Sequence, residues 1–131
     1  MANPAFSTAL RSARVNAIKT AVGSAGKLLI YDGTRPASGG SATNLLATFT
    51  MGSPFSDDST DGVLTGTLPD AVNASATGTG AWARLVTSGD VFVADYDVAT
   101  TGATAIVFNS VAFVSGVSCQ ILSFIQTDGN A

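Results

Sequence analysis

GAWARLVTSGDVFVADY, residues 80–96, carries the clearest structural signal in the chain. Residues 80–87 read as a strand, and residues 91–96 answer it beyond Ser88-Gly89-Asp90. A Gly-containing break of this length between two strand-like runs marks a β-hairpin. Within the first run Trp82 and Arg84 fall on one face, and the small residues Ala81 and Ala83 on the other. Working outward, the same two-residue period begins at Lys27. Residues 27–32 (KLLIYD) and 44–50 read as strands, separated by a long loop, residues 33–43 (GTRPASGGSAT), marked by Pro36, Gly39 and Gly40. Residues 52–62 (GSPFSDDSTDG) form another loop, residues 63–67 a short strand, and Pro69-Asp70 a turn. Downstream, residues 104–109 and 117–126 complete the set, with residues 111–114 and Gly116 between them.

About eight short strands with turn signals every 8–15 residues predict an all-β fold, an antiparallel β-sandwich of jelly-roll or Greek-key type. The last strand alternates, with a slip of phase near Leu122-Ser123 that predicts a bulge. With Ile106, Val107, Phe108 and Phe113 nearby, this C-terminal block is expected to be the most buried part of the domain. Exposed strand edges usually carry Lys or Pro as guards. These strands have almost none, which points to edges covered by a second chain.

Upstream of the sheet the pattern changes to that of one N-terminal α-helix. Asn3 is suited to cap it and Pro4 to its first position. Phe6, Leu10, Ala13, Ala17 and Ala21 follow at helical spacing as a narrow stripe, and Gly23 and Gly26 supply the stop. Such a stripe can lie close to its own sheet or to another subunit. The chain thus divides into a helix and connector, residues 1–26, and a β-domain, residues 27–131, within a single domain of 131 residues.

Composition excludes more than it assigns. The chain has no histidine, no glutamate and one cysteine. Histidine is the main side chain that exchanges protons near neutral pH, so a Ser-His-Asp or Cys-His machine is out of reach. Cys119 alone can build neither a zinc site nor an internal disulfide, and its place in an apolar run reads as a buried, inert thiol. Charged residues make up 11% of the chain, against about 25% in an ordinary soluble domain. The deficit falls on the surface, which reads either as covered by partners or as kept soluble by Ser, Thr, Asn and Gly. Residues 1–27 carry a charge of +4 and residues 28–131 a charge of −7, for a net −3. A pI near 4.4 argues against a nucleic-acid partner. The four N-terminal cations could still meet an acidic neighbour. No apolar run is long enough for a membrane span, and Arg11 and Arg14 interrupt any signal-peptide core.

The candidate chemical motifs are weak. Asp57-Asp58-Ser59-Thr60-Asp61-Gly62 resembles the start of a calcium loop, but position twelve is Leu68 instead of an acid. Asp95 and Asp97 share one face of a strand; paired carboxylates can act as acid and base in glycoside cleavage, and strand-end acids are also found simply solvated. Trp82 with Tyr31 and Tyr96 could make a stacking platform for a sugar, or Trp82 could be core. No catalytic residue, metal ligand or cofactor is assigned.

Three stretches carry a resemblance. They are FSTALRSARVNAIKTAVGSAGKLLIYDGTRPASG, then LLATFTM…GVLTG…TGTGAWARL, then GATAIVFNSVAFVSGVSCQILSFI. The recurring features are the helix segment at residues 9–14, the strand and loop at residues 30–37, and Trp82-Ala83-Arg84. Together they resemble small structural proteins of tailed-phage and prophage virions similar to capsid decoration, or cement, proteins. Cys119 stands where that resemblance expects an ordinary sheet residue. It implies a non-enzymatic protein made in the host cytoplasm and carried on the outer surface of the phage head. The implied partners are the major capsid protein and further copies of the chain as a dimer or trimer, with no nucleic acid and no membrane. Arg11, Arg14, Lys19, Trp82 and Arg84 are the expected partner-interface residues. The alternatives are a tail, connector or fibre component of the same virion, or a host-glycan-binding module.

Overall fold

Ser7, and not Asn3, opens the helix: its side-chain oxygen accepts the Leu10 N–H at 3.1 Å, and α1 runs from Thr8 to Val22. The computed structural model describes residues 5–101 and 105–127. Asn3 and Pro4 lie outside the described residues, and Phe6 precedes the helix. Gly23, at φ 69°, ends it as expected, donating to the Lys19 carbonyl. Gly26 then lets the chain turn tightly into the sheet, since a Cβ there would sit 2.2 Å from a Val22 methyl carbon.

Eleven strands follow among the described residues: β1 Lys27–Tyr31, β2 Leu45–Thr50, β3 Val63–Thr65, β4 Val72–Asn73, β5 Gly78–Thr79, β6 Trp82–Val86, β7 Phe92–Ala99, β8 Ile106–Phe108, β9 Ala112–Phe113, β10 Ser118–Cys119 and β11 Ile121–Thr127. The all-β class with one helix is the class observed. Seven strands make one sheet in the order β2-β1-β6-β7-β8-β11-β3, curled into a half-barrel. The β6–β7 hairpin closes through Thr87 and Val91, as residues 80–96 predict. Alternation suggests antiparallel neighbours throughout, yet β7 and β8 pair in parallel at Val98 and Ala99. Periodicity reports which face a residue takes and is silent on strand direction. The slip near Leu122 is a register shift between Ile121 and Ser123, the predicted bulge. The two-residue strands β4 and β5, too short to show a period, pair with β10 and β9 as small ribbons.

Strand registers sort the side chains onto two faces. Leu28, Ile30, Phe49, Ala83, Leu85 and Tyr96 line the inner face and join Ile106, Phe108, Ile121, Phe124 and Leu64 in one buried apolar cluster. Phe55, Phe113 and Cys119 cover it, with Val15 and Val22 from α1. Ring contacts knit it together: Phe55 and Tyr96 each meet Phe124 edge-on, and Phe108 meets Phe113 the same way. Gly80 is required here, because a Cβ would fall 2.5 Å from the Phe113 ring. Burial pushes the Tyr96 phenol upward; its hydroxyl donates to Gln126. The most evenly buried strand is β6, in which only Arg84 is not fully buried. The C-terminal block is correspondingly less uniform than expected, because Leu122 and Ile125 of β11 are exposed on the outer face.

The helix also departs from the hydropathy reading. Its buried side is Ser12, Val15 and Val22, while Leu10, Ala13, Ala17 and Ala21 face outward. Polar pairing decides the orientation. Ser12 Oγ accepts the Gly62 N–H, and Asn16 exchanges two hydrogen bonds with the main chain of Ser59. A docking surface made of loop main chain selects hydrogen-bonding side chains over alanines.

Candidate functional site

The outer face of β1, β6 and β7 carries the one elaborate polar constellation described. Register places Tyr31 beside Trp82, Arg84 beside Asp95, and Asp97 beside Trp82. Tyr31 and Trp82 stack with centroids 4.6 Å apart. The Arg84 guanidinium lies 5.2 Å from both the Trp82 and the Phe92 ring. Its Nε and Nη2 donate to the two Asp95 carboxylate oxygens at 2.8 and 3.1 Å, a bidentate fork. That hydrogen bonding pushes the Arg84 pKa still higher. Arg84 and Asp95 expose 13% and 6% of their side chains, so the pair is close to dry.

Over this row folds the loop of residues 33–43. The Trp82 indole N–H donates to the Asp32 carbonyl at 3.0 Å and to Thr43 Oγ at 3.1 Å. Thr43 Oγ also donates to that Asp32 carbonyl. Arg84 Nη2 donates to the Gly40 carbonyl at 2.8 Å. The ends of the loop are locked by Asp32, whose carboxylate accepts the main-chain and side-chain N–H groups of Asn44. Those bonds hold the Asp32 carboxyl below its ordinary range. Arg35 reaches down to Asp97 at 3.4 Å and to the Asp95 carbonyl. The loop is therefore exposed in its side chains and pinned in its backbone. A cleft of about 430 Å³ opens between residues 35–38 and 92–95.

The five predicted interface residues fall into two groups on opposite sides of the sheet. Arg11, Arg14 and Lys19 lie on α1, which covers the inner face. Arg11 donates to Thr8, Arg14 lies over the Phe6 ring, and Lys19 pairs with Asp58 at 2.8 Å. Trp82 and Arg84 lie beneath the loop, and Trp82 is 0% exposed. Neither offers a surface side chain; both act by shaping the loop above them. The sugar platform is not assembled, since Tyr96 sits on the inner face and Trp82 presents no open ring. Asp95 and Asp97 do share a face, each engaged by its own arginine. In the calcium-like loop Asp58 pairs with Lys19 and Asp61 accepts the Val63 N–H, while the main chain binds the helix. Among the described residues no cluster of His, Cys or Asp is placed to hold a metal ion. Cys119 is buried, with its thiol pushed upward by burial. Among the described residues no helix is long and apolar enough to cross a membrane.

Sequence reasoning missed Arg35, Asp32 and Asn44 as parts of the constellation. The available signal was Asp32 and Asn44 bracketing a Gly-rich loop, a pattern that closes loops through side-chain-to-main-chain bonds. Comparison of the chain with protein-family models, with curated proteins and with solved structures finds no match in any of the three.

Proposed function

We propose that this chain is a non-enzymatic structural protein of a tailed-phage virion, a decoration or cement protein that binds the assembled shell and stabilises it. The reading is carried by the pinned loop. Two of the three recurring features behind the resemblance, residues 30–37 and Trp82-Ala83-Arg84, are about fifty residues apart in sequence and meet in one constellation. The only tryptophan and the least exposed ion pair described are spent on holding an exposed loop in one shape. Pre-organising a surface lowers the ordering cost of docking, which supports a binding role for the loop. In this reading the loop, with Arg35 at its base, faces the major capsid protein. The protein acts as a homo-oligomer, so that several modest contacts add up across a symmetric shell. Binding only the assembled state stabilises it by mass action.

The test is particle survival. Shells lacking the protein should lose their genome at a lower temperature than decorated ones, and adding purified protein back should restore them. A triple loop variant, Thr34→Asp with Ala37→Asp and Ser38→Asp, should fold and fail to restore. Equal survival of bare and decorated particles would overturn the proposal. A copy number of six or twelve per particle, in place of hundreds, would assign the chain to a ring at the tail or connector.

A further inference from the structure

The outermost strand of the large sheet, β3, is paired with β11 along one side. Two bonds decide which of its main-chain groups face the other way. The Gly66 N–H donates to the Phe124 carbonyl, and the Ile125 N–H donates to the Ala105 carbonyl on the side of β8. Antiparallel neighbours alternate between bonded and unbonded pairs, so Leu64 turns its main chain toward β11 while Val63 and Thr65 turn theirs away. On that open side a second segment begins to pair and stops. The Thr67 N–H donates to the Phe55 carbonyl, and Ser56 and Gly66 form an isolated β-bridge. One step further the same register would set Asp57 opposite Thr65. The segment instead swings to the helix, where Asp58 pairs with Lys19 and the Ser59 N–H reaches Asn16. The Val63 N–H turns to the Asp61 carboxylate at 3.1 Å. Thr65 keeps its N–H and carbonyl unpaired among the described residues. A fork of about 400 Å³ opens between Asp57 and Asp58 on one prong and Val63, Thr65, Gly66 and Thr67 on the other.

We infer that this fork takes an extended, basic segment of a partner protein, laid against β3 as an added strand. Backbone chemistry selects the extended form. Unpaired N–H and C=O groups on a strand edge, with neither Lys nor Pro among Val63-Leu64-Thr65 to guard it, are met by another extended backbone. Charge selects the basic side chains. Both ionisable groups lining the fork are carboxylates: Asp58 is shared with Lys19, and Asp57 has no partner among the described residues. An acidic strand is repelled there, while a Lys or Arg next to the paired residue is drawn to Asp57. The chain itself offers no such segment. Arg35 and Arg84, the two bases of residues 28–131, are held in the constellation around the loop. Arg11, Arg14 and Lys19 lie on the helix, and Lys27 pairs with Asp90 inside the sheet's own β1.

The fork lies at the other end of the strand order from the roofed strands β1 and β6, and its test needs no particles, so it stands or fails apart from the shell reading. The probe is a blocked heptapeptide of alternating valine and lysine, added to the purified protein. One control is the same peptide N-methylated at every amide, which keeps the charge and removes the donors; another replaces lysine by glutamate. A few main-chain bonds and one ion pair on a solvated edge bind weakly, so titrations should run to about 1 mM. The valine–lysine peptide should shift the amides of residues 57, 58 and 63–67 saturably and slow hydrogen exchange at the Thr65 N–H. Both controls should bind at least about tenfold more weakly. Asp57→Lys should weaken the valine–lysine peptide by a similar factor and melt as the wild type does. Equal binding of the N-methylated peptide would reduce the effect to diffuse charge and overturn the inference. So would equal binding of the glutamate peptide, shifts absent or confined to residues 33–43, a Thr65 N–H already protected in the free protein, or an Asp57→Lys variant that binds as the wild type does.

Discussion

The two faces of the curled sheet are held by different physics. On the inner face the cluster is apolar: Phe49, Phe55, Phe108 and Phe124 are completely buried among aliphatic side chains and alanines. Its contribution scales with apolar area removed from water and is indifferent to direction. On the outer face the order around Trp82 comes from directed bonds: an indole N–H, a guanidinium fork and a carboxylate, each aimed at a specific acceptor or donor. The comparison teaches a division of labour. Area on the inside makes the domain stable, while geometry on the outside fixes the shape of one loop.

Substitutions that unbalance the two faces should therefore differ in kind as well as in size. Phe124→Ala strikes where three aromatic rings converge and should cost about 3–5 kcal/mol in urea unfolding, lowering the protection of the whole domain. Arg84→Met comes next, at about 2–3 kcal/mol, below the range for a fully dry pair because the loop above is solvated. It strands Asp95, so hydrogen exchange should quicken at residues 33–43 first while β8 and β11 stay protected. Uniform loss of protection in Arg84→Met would break the distinction between the faces. Trp82→Phe exchanges the buried indole for a smaller phenyl ring and removes its N–H; a loss of about 1–2 kcal/mol with a loosened loop is expected. Lys19→Ala removes a largely exposed pair and should move stability by no more than about 0.5 kcal/mol.

Acid sharpens the same contrast. The folded Asp32 carboxyl titrates below its ordinary value because the Asn44 N–H groups favour the charged form. Its stabilising contribution is complete above the unfolded value near 3.8 and is lost as pH falls through the lower folded value. Amide resonances of residues 33–44 should therefore shift in acid before those of the inner strands, and Asp32→Asn should abolish that early phase. Simultaneous acid transitions on both faces would show that the loop and the core behave as one unit.

Much of this was legible in the chain. The hairpin at Ser88-Gly89-Asp90, the paired placement of Trp82 and Arg84, the bulge near Leu122 and the helix stop at Gly23 all follow from local period and turn chemistry. These interactions span a few residues, which is the range over which a sequence pattern can be read. The outward turn of Leu10, Ala13, Ala17 and Ala21 was not legible, because it depends on main-chain groups of Ser59 and Gly62 that reach Asn16 and Ser12 only after folding. Nor was the parallel β7–β8 pair, since direction leaves no mark on alternation.

By itself the sequence determined an all-β chain with one helix, poor in charge and without a residue that shuttles protons at neutral pH. Only the tertiary structure decided that Trp82 and Arg84 lie under a loop about forty residues away, and that Leu122 and Ile125 of β11 are exposed on the outer face. The reason is physical. Period and composition are properties of neighbours along the chain, whereas a buried ion pair, a roofed ring and an uncovered strand exist only between segments that folding brings together.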